Sequence, residues 1–147
     1  MASGVGLHNE CLTVYQELKL GHKYKYILYA LNDAKTEIVA ESKREVKSKE
    51  IADLTSEEEK YKLFLQDLTK GSTCRWGVFD FEYFVEGKRN KLTFISWAPA
   101  SSKIKERMVF ASSKDALRRS LVGIATEVQG SDEDDIAYET VLEKVKK

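Results

Sequence analysis

The sequence predicts a single α+β domain: a central mixed sheet of five to six strands, with helices on both faces and a long, kinked third helix. Strand-like and helix-like patterns alternate along the whole chain. The chain has 147 residues, of which 42% are hydrophobic and 33% charged, and this suits one core but would leave two domains too small. We therefore expect one domain over 1–147, with 1–8 as a flexible tail.

The first third of the chain predicts a helix followed by a hairpin. After a small-residue segment that we expect to be mobile before Asn9, apolar residues recur at helical spacing, and Gly21 follows as a stop. The aromatic segment 23–31, an Asn-Asp turn and the segment 36–41 predict two paired strands. The apolar positions of this first helix are Cys11, Val14, Tyr15 and Leu18.

The middle of the chain predicts a second helix and the central hairpin. The Lys- and Glu-rich segment 42–53 has no clear period and is expected to be an exposed loop, with a helical turn within it left open. The Thr-Ser pair at 55–56 precedes two glutamates at capping-box spacing, which predicts a helix start. The aromatic segments 75–85 and 91–98 flank the turn sequence EGKRN and are expected to pair. The apolar stripe of the second helix is Tyr61, Phe64, Leu65 and Leu68.

The longest predicted helix, 103–123, follows the only proline and carries a basic stripe on the side that we expect to face outward. Its apolar residues change sides at the serine pair 112–113. Adjacent serines can bond back to earlier carbonyls and bend a helix, so we expect a kink there. The basic stripe is Lys103, Arg107, Lys114 and Arg118; the apolar groups are Ile104, Met108 and Ala111, then Phe110, Leu117 and Leu121.

The carboxyl end predicts a short strand at 124–129 and a last helix. That helix is expected to begin at Ser131 and Asp132, with an acidic first turn and a basic end at 144–147. This charge order favours the helix dipole. The expected apolar stripe is Ile136 or Ala137, then Val141 and Val145.

The charge distribution limits the classes of partner. The 24 basic and 24 acidic residues cancel, so nothing global attracts the chain to nucleic acid. Locally, 103–119 carries an excess of four positive charges, while 132–135 is entirely acidic. With two distant cysteines, no secretory segment and no long apolar run, the expected location is the cytoplasm.

Residues with catalytic or metal-binding potential are sparse. Neither histidine has a ligand or base at suitable spacing, and GVGLHN lacks the third glycine of a dinucleotide fingerprint. Cys11 and Cys74 are expected to be packed thiols. Asp80 and Glu82 share a strand face, where a solvated or paired role is the simpler interpretation. We therefore expect no enzyme, no metal and no cofactor.

A second basic group in the central turn, Lys88, Arg89 and Lys91, matches the stripe on the long helix. A charged helix face is often only solvated. Two separate basic patches instead favour one large partner that is held at two places. At this level both interpretations stay open.

Several long segments resemble the ADF/cofilin family of actin-depolymerising proteins: DFEYFVEGKRNKLTFISWAP, IKERMVFASSKDALRRSLVGI and YETVLEKVKK. With SGV and CLTVYQELKLG near the start, the similarity spans nearly the whole chain in the same order, and SSKDALRRSLVG is its most specific part. The resemblance implies a mixed sheet flanked by helices and a monomeric actin-binding protein without catalytic chemistry.

The resemblance further implies two actin-binding surfaces and an off-switch by phosphorylation of Ser3. One surface grips an actin subunit in monomer and filament, preferring the ADP form; the other meets the neighbouring filament subunit. Binding across both changes filament twist, severs filaments and depolymerises them. The shared surface is Ser3, Gly4, Val5, Lys105, Arg107, Met108, Ser113, Asp115 and Arg118; the filament-specific one is Lys88, Arg89, Lys91, Glu139, Glu143 and Lys144.

Two alternatives remain open on the sequence: a filament side-binder without severing activity, and a phosphoinositide-binding adaptor. The chain departs from the family at a longer segment, 42–61, and at Thr69 and Lys103, where prolines are usual. It lacks the lysine-rich import run of some animal relatives, which leaves nuclear entry open. The phosphoinositide contacts would be Lys105, Arg107, Lys114, Arg118 and Arg119.

Overall fold

A computed structural model of the chain describes residues 5–147. Within that range one sheet of six strands has the order β1-β3-β2-β4-β5-β6. The strands are β1 (Gly6–Leu7), β2 (Tyr24–Leu31), β3 (Glu37–Glu45), β4 (Arg75–Phe84), β5 (Lys88–Trp97) and β6 (Thr126–Gly130). The helices are α1 (Asn9–Lys19), α2 (Lys49–Ala52), α3 (Glu57–Leu68), α4 (Ile104–Ser120), a 3-10 helix (Glu133–Ile136) and α5 (Tyr138–Lys146).

The sheet is mixed, as predicted. The central pairs β2–β3, β2–β4 and β4–β5 are antiparallel, whereas the outer pairs β1–β3 and β5–β6 are parallel. Parallel neighbours need a crossover connection, and α4 forms the crossover between β5 and β6. The long helix is therefore fixed across one face of the sheet.

Helices cover both faces of the sheet, as predicted. Along β2, Ile27 and Tyr29 belong to the core shared with α1 and α4, while Tyr26 and Leu28 belong to the core shared with α3 and α5. Alternate strand residues point to opposite faces, so a central strand buried on both sides is apolar throughout. This explains the unbroken run YKYILYAL.

The segment before α1 is part of the fold. Val5 is 2% exposed within the core, and the Gly6 amide donates to the Thr36 carbonyl at 2.9 Å. The prediction of a mobile segment before Asn9 is therefore wrong for residues 5–8, because the edge of β3 offers backbone groups for two residues to pair with. The predicted site residues Ser3 and Gly4 lie outside the described residues.

The helices α1 and α3 confirm their predicted patterns. The α1 positions Cys11, Val14, Tyr15 and Leu18 are all buried, and the hydroxyl of Ser56 caps α3 by accepting from the Glu59 amide at 3.1 Å. The segment 42–53 is not a loop throughout. Strand β3 continues to Glu45 and α2 follows, which makes the long helix the fourth rather than the third.

The end of the chain forms two short helices in place of the single predicted one. Asp132 caps the 3-10 helix, and Ala137 is extended, with φ −61° and ψ 149°, which separates this helix from α5. The apolar stripe of Ile136, Val141 and Val145 is buried as predicted.

Candidate functional site

Helix α4 is anchored to the sheet along one stripe of buried residues, Phe110, Ser113 and Leu117. The ring of Phe110 stacks on Trp76 of β4 with centroids 4.0 Å apart. The sequence predicts that the buried stripe moves to another face of the helix at the serine pair. That prediction is wrong, because the buried residues continue through the pair at helical spacing. The outer face of the helix is left free for other contacts.

The outer face of α4 is apolar at its amino-terminal half. Ile104 is 68% exposed and Met108 is 67% exposed, so neither belongs to the core that their spacing suggested. Lys105 and Ala111 beside them are also exposed. Exposed apolar side chains rimmed by charges are typical of a protein-binding surface. We call this the α4 surface: Ile104, Lys105, Met108, Ala111, Ser112 and Asp115.

The hydroxyls of the serine pair bond to a carbonyl of the preceding turn, and such bonds are the basis for predicting a kink. The hydroxyls of Ser112 and Ser113 both donate to the Val109 carbonyl, at 3.1 and 2.6 Å. The helix is continuous through both residues, and the kink itself stays a prediction. Ser113 is fully buried, as is Val5 at 2% exposure. These two predicted actin contacts therefore lie behind the surface, because the core needs their positions.

The amino end of α4 is held by polar contacts to neighbouring loops. The Arg107 guanidinium donates to the Ala100 carbonyl at 2.8 Å, and the Glu106 carboxylate accepts from the Cys74 amide at 2.7 Å. Arg107 is half-buried as a result. The α4 surface is therefore fixed in place before any partner arrives.

The basic side chains of the α4 stripe do not all point freely into solvent. The carboxylate of Glu127 on β6 accepts from Lys114 at 2.8 Å and from Arg118 at 2.9 Å. Burial opposes ionisation of Glu127, but these two hydrogen bonds outweigh burial and lower its pKa. Lys103, by contrast, is exposed. The predicted outward stripe is therefore wrong for its second half, where both cations are paired.

A second exposed region is formed by the β4–β5 turn and α5. The predicted residues Lys88, Arg89, Glu139, Glu143 and Lys144 are exposed there, and Phe84 at the tip is 70% exposed. Sequence reasoning missed Phe84, although strand alternation from the buried Tyr83 points it outward. We call this the hairpin–α5 surface: Phe84, Lys88, Arg89, Glu139, Glu143 and Lys144.

Lys91 connects the two parts of this region. Its ammonium donates to the Val145 carbonyl of α5 at 2.7 Å, and it lies 5.8 Å from the centre of the Tyr83 ring. It is half-buried. Lys91 therefore ties the hairpin to the last turn of α5, and this internal contact occupies its charge.

Residues with catalytic potential make structural contacts. Asp80 is 8% exposed, accepts from Asn90 at 3.2 Å and lies 3.7 Å from His22. Burial raises the pKa of the Cys11 thiol to about 11 and also raises that of Cys74. The prediction of packed thiols is confirmed. Within residues 5–147, His, Cys, Asp and Glu form no group of three suited to a metal.

The two exposed surfaces lie on different sides of the domain, since α4 covers one face of the sheet and α5 the other.

A match to the family model for cofilin/tropomyosin-type actin-binding proteins covers residues 4–146. The chain belongs to the cofilin family. Its members are actin-binding proteins, not enzymes.

Relatives in this family cover the chain almost end to end. A cofilin of Mycosarcoma maydis is 51% identical over 99% of this chain and 96% of its own length, and a cofilin of Saccharomyces cerevisiae is 45% identical over 97% and 93%. The crystal structure of a Streptomyces griseoflavus cofilin has a TM-score of 0.81, with 49% identity and 96% of each chain covered. Of the helices described in this chain, none has the length and apolar character needed to cross a bilayer.

Proposed function

We propose that this chain binds actin monomers and filaments, prefers ADP-actin, and severs and depolymerises filaments. The observation that carries the proposal is the α4 surface. It combines two exposed apolar side chains with charged neighbours on a helix that is rigidly packed against the sheet. Surfaces of this composition are enriched where proteins bind one another. Membership of an actin-binding family identifies actin as the partner.

The shared surface for monomer and filament comprises Lys105, Arg107, Met108 and Asp115, with Arg118 at its far end. Val5 and Ser113, the other predicted contacts of this surface, are buried and contribute through packing within the fold. Ser3 and Gly4 extend the contact from the amino terminus. Phosphorylation of Ser3 adds a charge of about −1.5 to −2 and opposes docking by repulsion and desolvation.

The filament-specific contact is the hairpin–α5 surface, where Lys88, Arg89, Glu139, Glu143 and Lys144 meet the neighbouring subunit. Its place on the opposite side of the domain from α4 supports simultaneous contact with two subunits. Lys91 contributes by holding the hairpin against α5.

The mechanism is differential binding and needs no covalent step. A protein that contacts two neighbouring subunits stabilises the filament twist that best fits both of its surfaces. It shifts the equilibrium by as much as its preference for that twist, and no more. Wedging between two subunits in this way promotes severing and loss of subunits at the filament ends. We expect the protein to act as a monomer in the cytoplasmic actin cytoskeleton, with nuclear entry left open.

Phosphoinositide binding is a weaker second candidate for the same helix. Of its five predicted cations, Lys105 and Arg119 are exposed, Arg107 bonds to a loop carbonyl, and the other two pair with Glu127. The carboxylate of Glu127 therefore offsets one of these positive charges, and three of the five cations are already held by contacts outside α4.

Co-sedimentation with filamentous actin, combined with imaging of single filaments, tests the proposal. We expect the protein to pellet with filaments and to shorten them, more strongly for ADP-actin. Pelleting without shortening would favour the side-binder. Failure to bind monomers and filaments alike would overturn the proposal.

A further inference from the structure

An open cleft of about 450 Å³ lies between α4 and the carboxyl ends of β5 and β6. Ser96 of β5 lines this cleft, and its side chain is almost completely buried, with the residue only 6% exposed. The Ser96 hydroxyl forms no hydrogen bond with any residue that the structure describes. Buried polar groups are normally paired, so a polar group that enters the cleft gains a contact there.

The cleft also has charged walls. The Arg107 guanidinium donates to the Ala100 carbonyl at 2.8 Å and has further N–H donors, in the planar arrangement that suits a phosphate. Lys114 lies two turns later on the same face of α4. The Asp135 carboxylate is already engaged with two backbone amides of its own loop, at 3.2 and 3.3 Å. The charged residues of the cleft are Arg107, Lys114, Asp115 and Asp135.

Ser131 joins this cleft to an acidic segment. It is exposed, and its amide donates to the Asp135 carboxylate, but its hydroxyl bonds to nothing within residues 5–147. Four acidic residues, 132–135, follow it directly. Charge patterns of this kind decide which kinase recognises a serine, because a basic substrate groove attracts acidic residues beside the target. Ser131 therefore combines a free hydroxyl with a recognition pattern.

A comparison with two other exposed serines shows what is particular to Ser131. Ser56 also precedes an acidic run, but its hydroxyl caps α3: it accepts from the Glu59 amide and donates to the Glu59 carboxylate, both at 3.1 Å. Ser42 is exposed but is followed by two basic residues. Of these three, Ser131 alone has both the acidic pattern and an unbonded hydroxyl.

We propose that Ser131 is a phosphorylation site for an acid-directed, ATP-dependent protein kinase, and that Arg107 and Lys114 in the cleft bind its phosphate. The Ser131 oxygen attacks the γ-phosphorus of ATP and loses its proton to a base of the kinase. The new P–O bond forms as the bond from the γ-phosphorus to the bridging oxygen breaks, and ADP leaves.

This modification reduces docking of the α4 surface. The phosphate adds a charge of about −1.5 to −2 beside α4 and forms charge-assisted hydrogen bonds with cations that it faces. It thereby competes for Arg107, which is assigned to the shared actin contact. The effect on actin rests on the proposed function, whereas the modification and its contacts in the cleft do not.

The first test treats the native protein with a purified acid-directed serine kinase, Mg²⁺ and ATP, and locates the phosphate by mass spectrometry. We expect modification at Ser131 and not at Ser42 or Ser56. Glu133→Gln with Asp134→Asn removes two acids whose side chains do not cap the 3-10 helix, and should slow the reaction about five-fold or more. Absence of phosphate from Ser131, or equal modification of Ser42, would overturn the site.

Phosphorus NMR then tests the contacts in the cleft. The pKa of the phosphate is compared with that of an unfolded phosphopeptide of residues 129–136, which carries the same four acids. Nearby cations favour the doubly charged form, so the pKa should be lower in the protein than in the peptide, and Arg107→Gln should raise it. Thermal unfolding checks that this variant keeps the fold. A pKa in the protein equal to or above that of the peptide would overturn binding of the phosphate by Arg107 and Lys114.

Titration of actin monomers tests the consequence. We expect the phosphorylated protein to bind about five-fold more weakly, which corresponds to about 1 kcal/mol for one exposed charge contact. Ser131→Ala is the matched control and should bind as the native protein does. Equal binding by the phosphorylated and native proteins would overturn the regulation. If the native protein itself fails to bind actin, the proposed function fails, while mass spectrometry and the phosphate pKa still decide the site.

Discussion

The α4 surface and the hairpin–α5 surface differ in how firmly the fold holds them. Helix α4 is packed through Phe110 and Leu117, and contacts at its amino end fix Arg107. The hairpin tip is exposed from residue 84 to 90, and its turn contains positive φ angles at Glu86 (54°) and Gly87 (119°). Side chains that are already held by the fold lose less entropy on binding than exposed side chains that must be ordered. We therefore expect α4 to supply most of the affinity and the hairpin to add selectivity for filaments.

The largest expected effect comes from the double change Lys105→Ala and Arg107→Ala. Truncating a well-buried interface charge costs about 2 to 5 kcal/mol, so binding should weaken about thirty-fold or more. Monomer and filament binding should fall together, because both use this surface. Fluorescence titration of actin monomers and filament co-sedimentation measure the two affinities.

A matched control for this variant is Lys60→Ala with Lys62→Ala on α3. It removes the same number of charges on the sheet face opposite α4, and should leave both affinities within about two-fold. Equal losses in the two double variants would show that overall charge governs binding, and the α4 surface would lose its special role.

A smaller effect, expected from changes in the hairpin, distinguishes the role of the hairpin–α5 surface from that of the α4 surface. Lys88→Ala with Arg89→Ala removes exposed charges from the hairpin tip, so filament binding and severing should fall while monomer binding is spared. We expect a loss of about 1 to 2 kcal/mol for filaments, since rim charges contribute less than buried ones. If monomer affinity fell as far as filament affinity, the two surfaces would be one.

Ser3→Glu should weaken both kinds of binding, by less than the α4 double variant. A single added negative charge opposes docking of the amino terminus, and Val5 in the core fixes the chain only two residues away. Ser3→Ala is the matched control and should bind as the native protein does. Native-like co-sedimentation of Ser3→Glu would remove the amino terminus from the interface.

Lys91→Met should lower the stability of the fold and should not remove a direct contact with actin. The variant loses the bond to the Val145 carbonyl, and hydrogen bonds to charged groups contribute about 1.5 to 3 kcal/mol, with half exposure favouring the lower figure. Urea unfolding should show a loss of about 1.5 kcal/mol and only a small drop in filament affinity. Unchanged stability with strongly reduced filament affinity would make Lys91 a direct contact.

Local signals in the sequence were sufficient for much of the fold. The capping residue Ser56 and the apolar spacing of α1 act within a few residues, and the aromatic run of β2 reflects burial on both faces. Two short elements depend on distant partners: strand β1, which the sequence does not predict, and α2, which it leaves open as a helical turn. Strand β1 is two residues long and exists by pairing with β3, and α2 is one turn held by Ile51 in the core.

The candidate site was less predictable, because its chemistry depends on tertiary contacts. Ile104 and Met108 have core-like residue types but face solvent, whereas Ser113 is polar and buried. Helical periodicity alone assigns such residues to the wrong side. The pairing of Glu127 with α4 joins two elements across a crossover, and no local pattern reports it.

The α4 surface should bind both actin monomers and filaments, while the hairpin should contact only filaments. Fluorescent labelling measures this difference directly. Cys11 and Cys74 are buried and their thiol pKa values are raised, so a cysteine introduced on the surface reacts selectively at neutral pH. A fluorophore at Ser112→Cys should respond to actin monomers and to filaments. A fluorophore at Val85→Cys should respond to filaments alone. A response at Val85→Cys to monomers equal to that at Ser112→Cys would contradict the two-surface account.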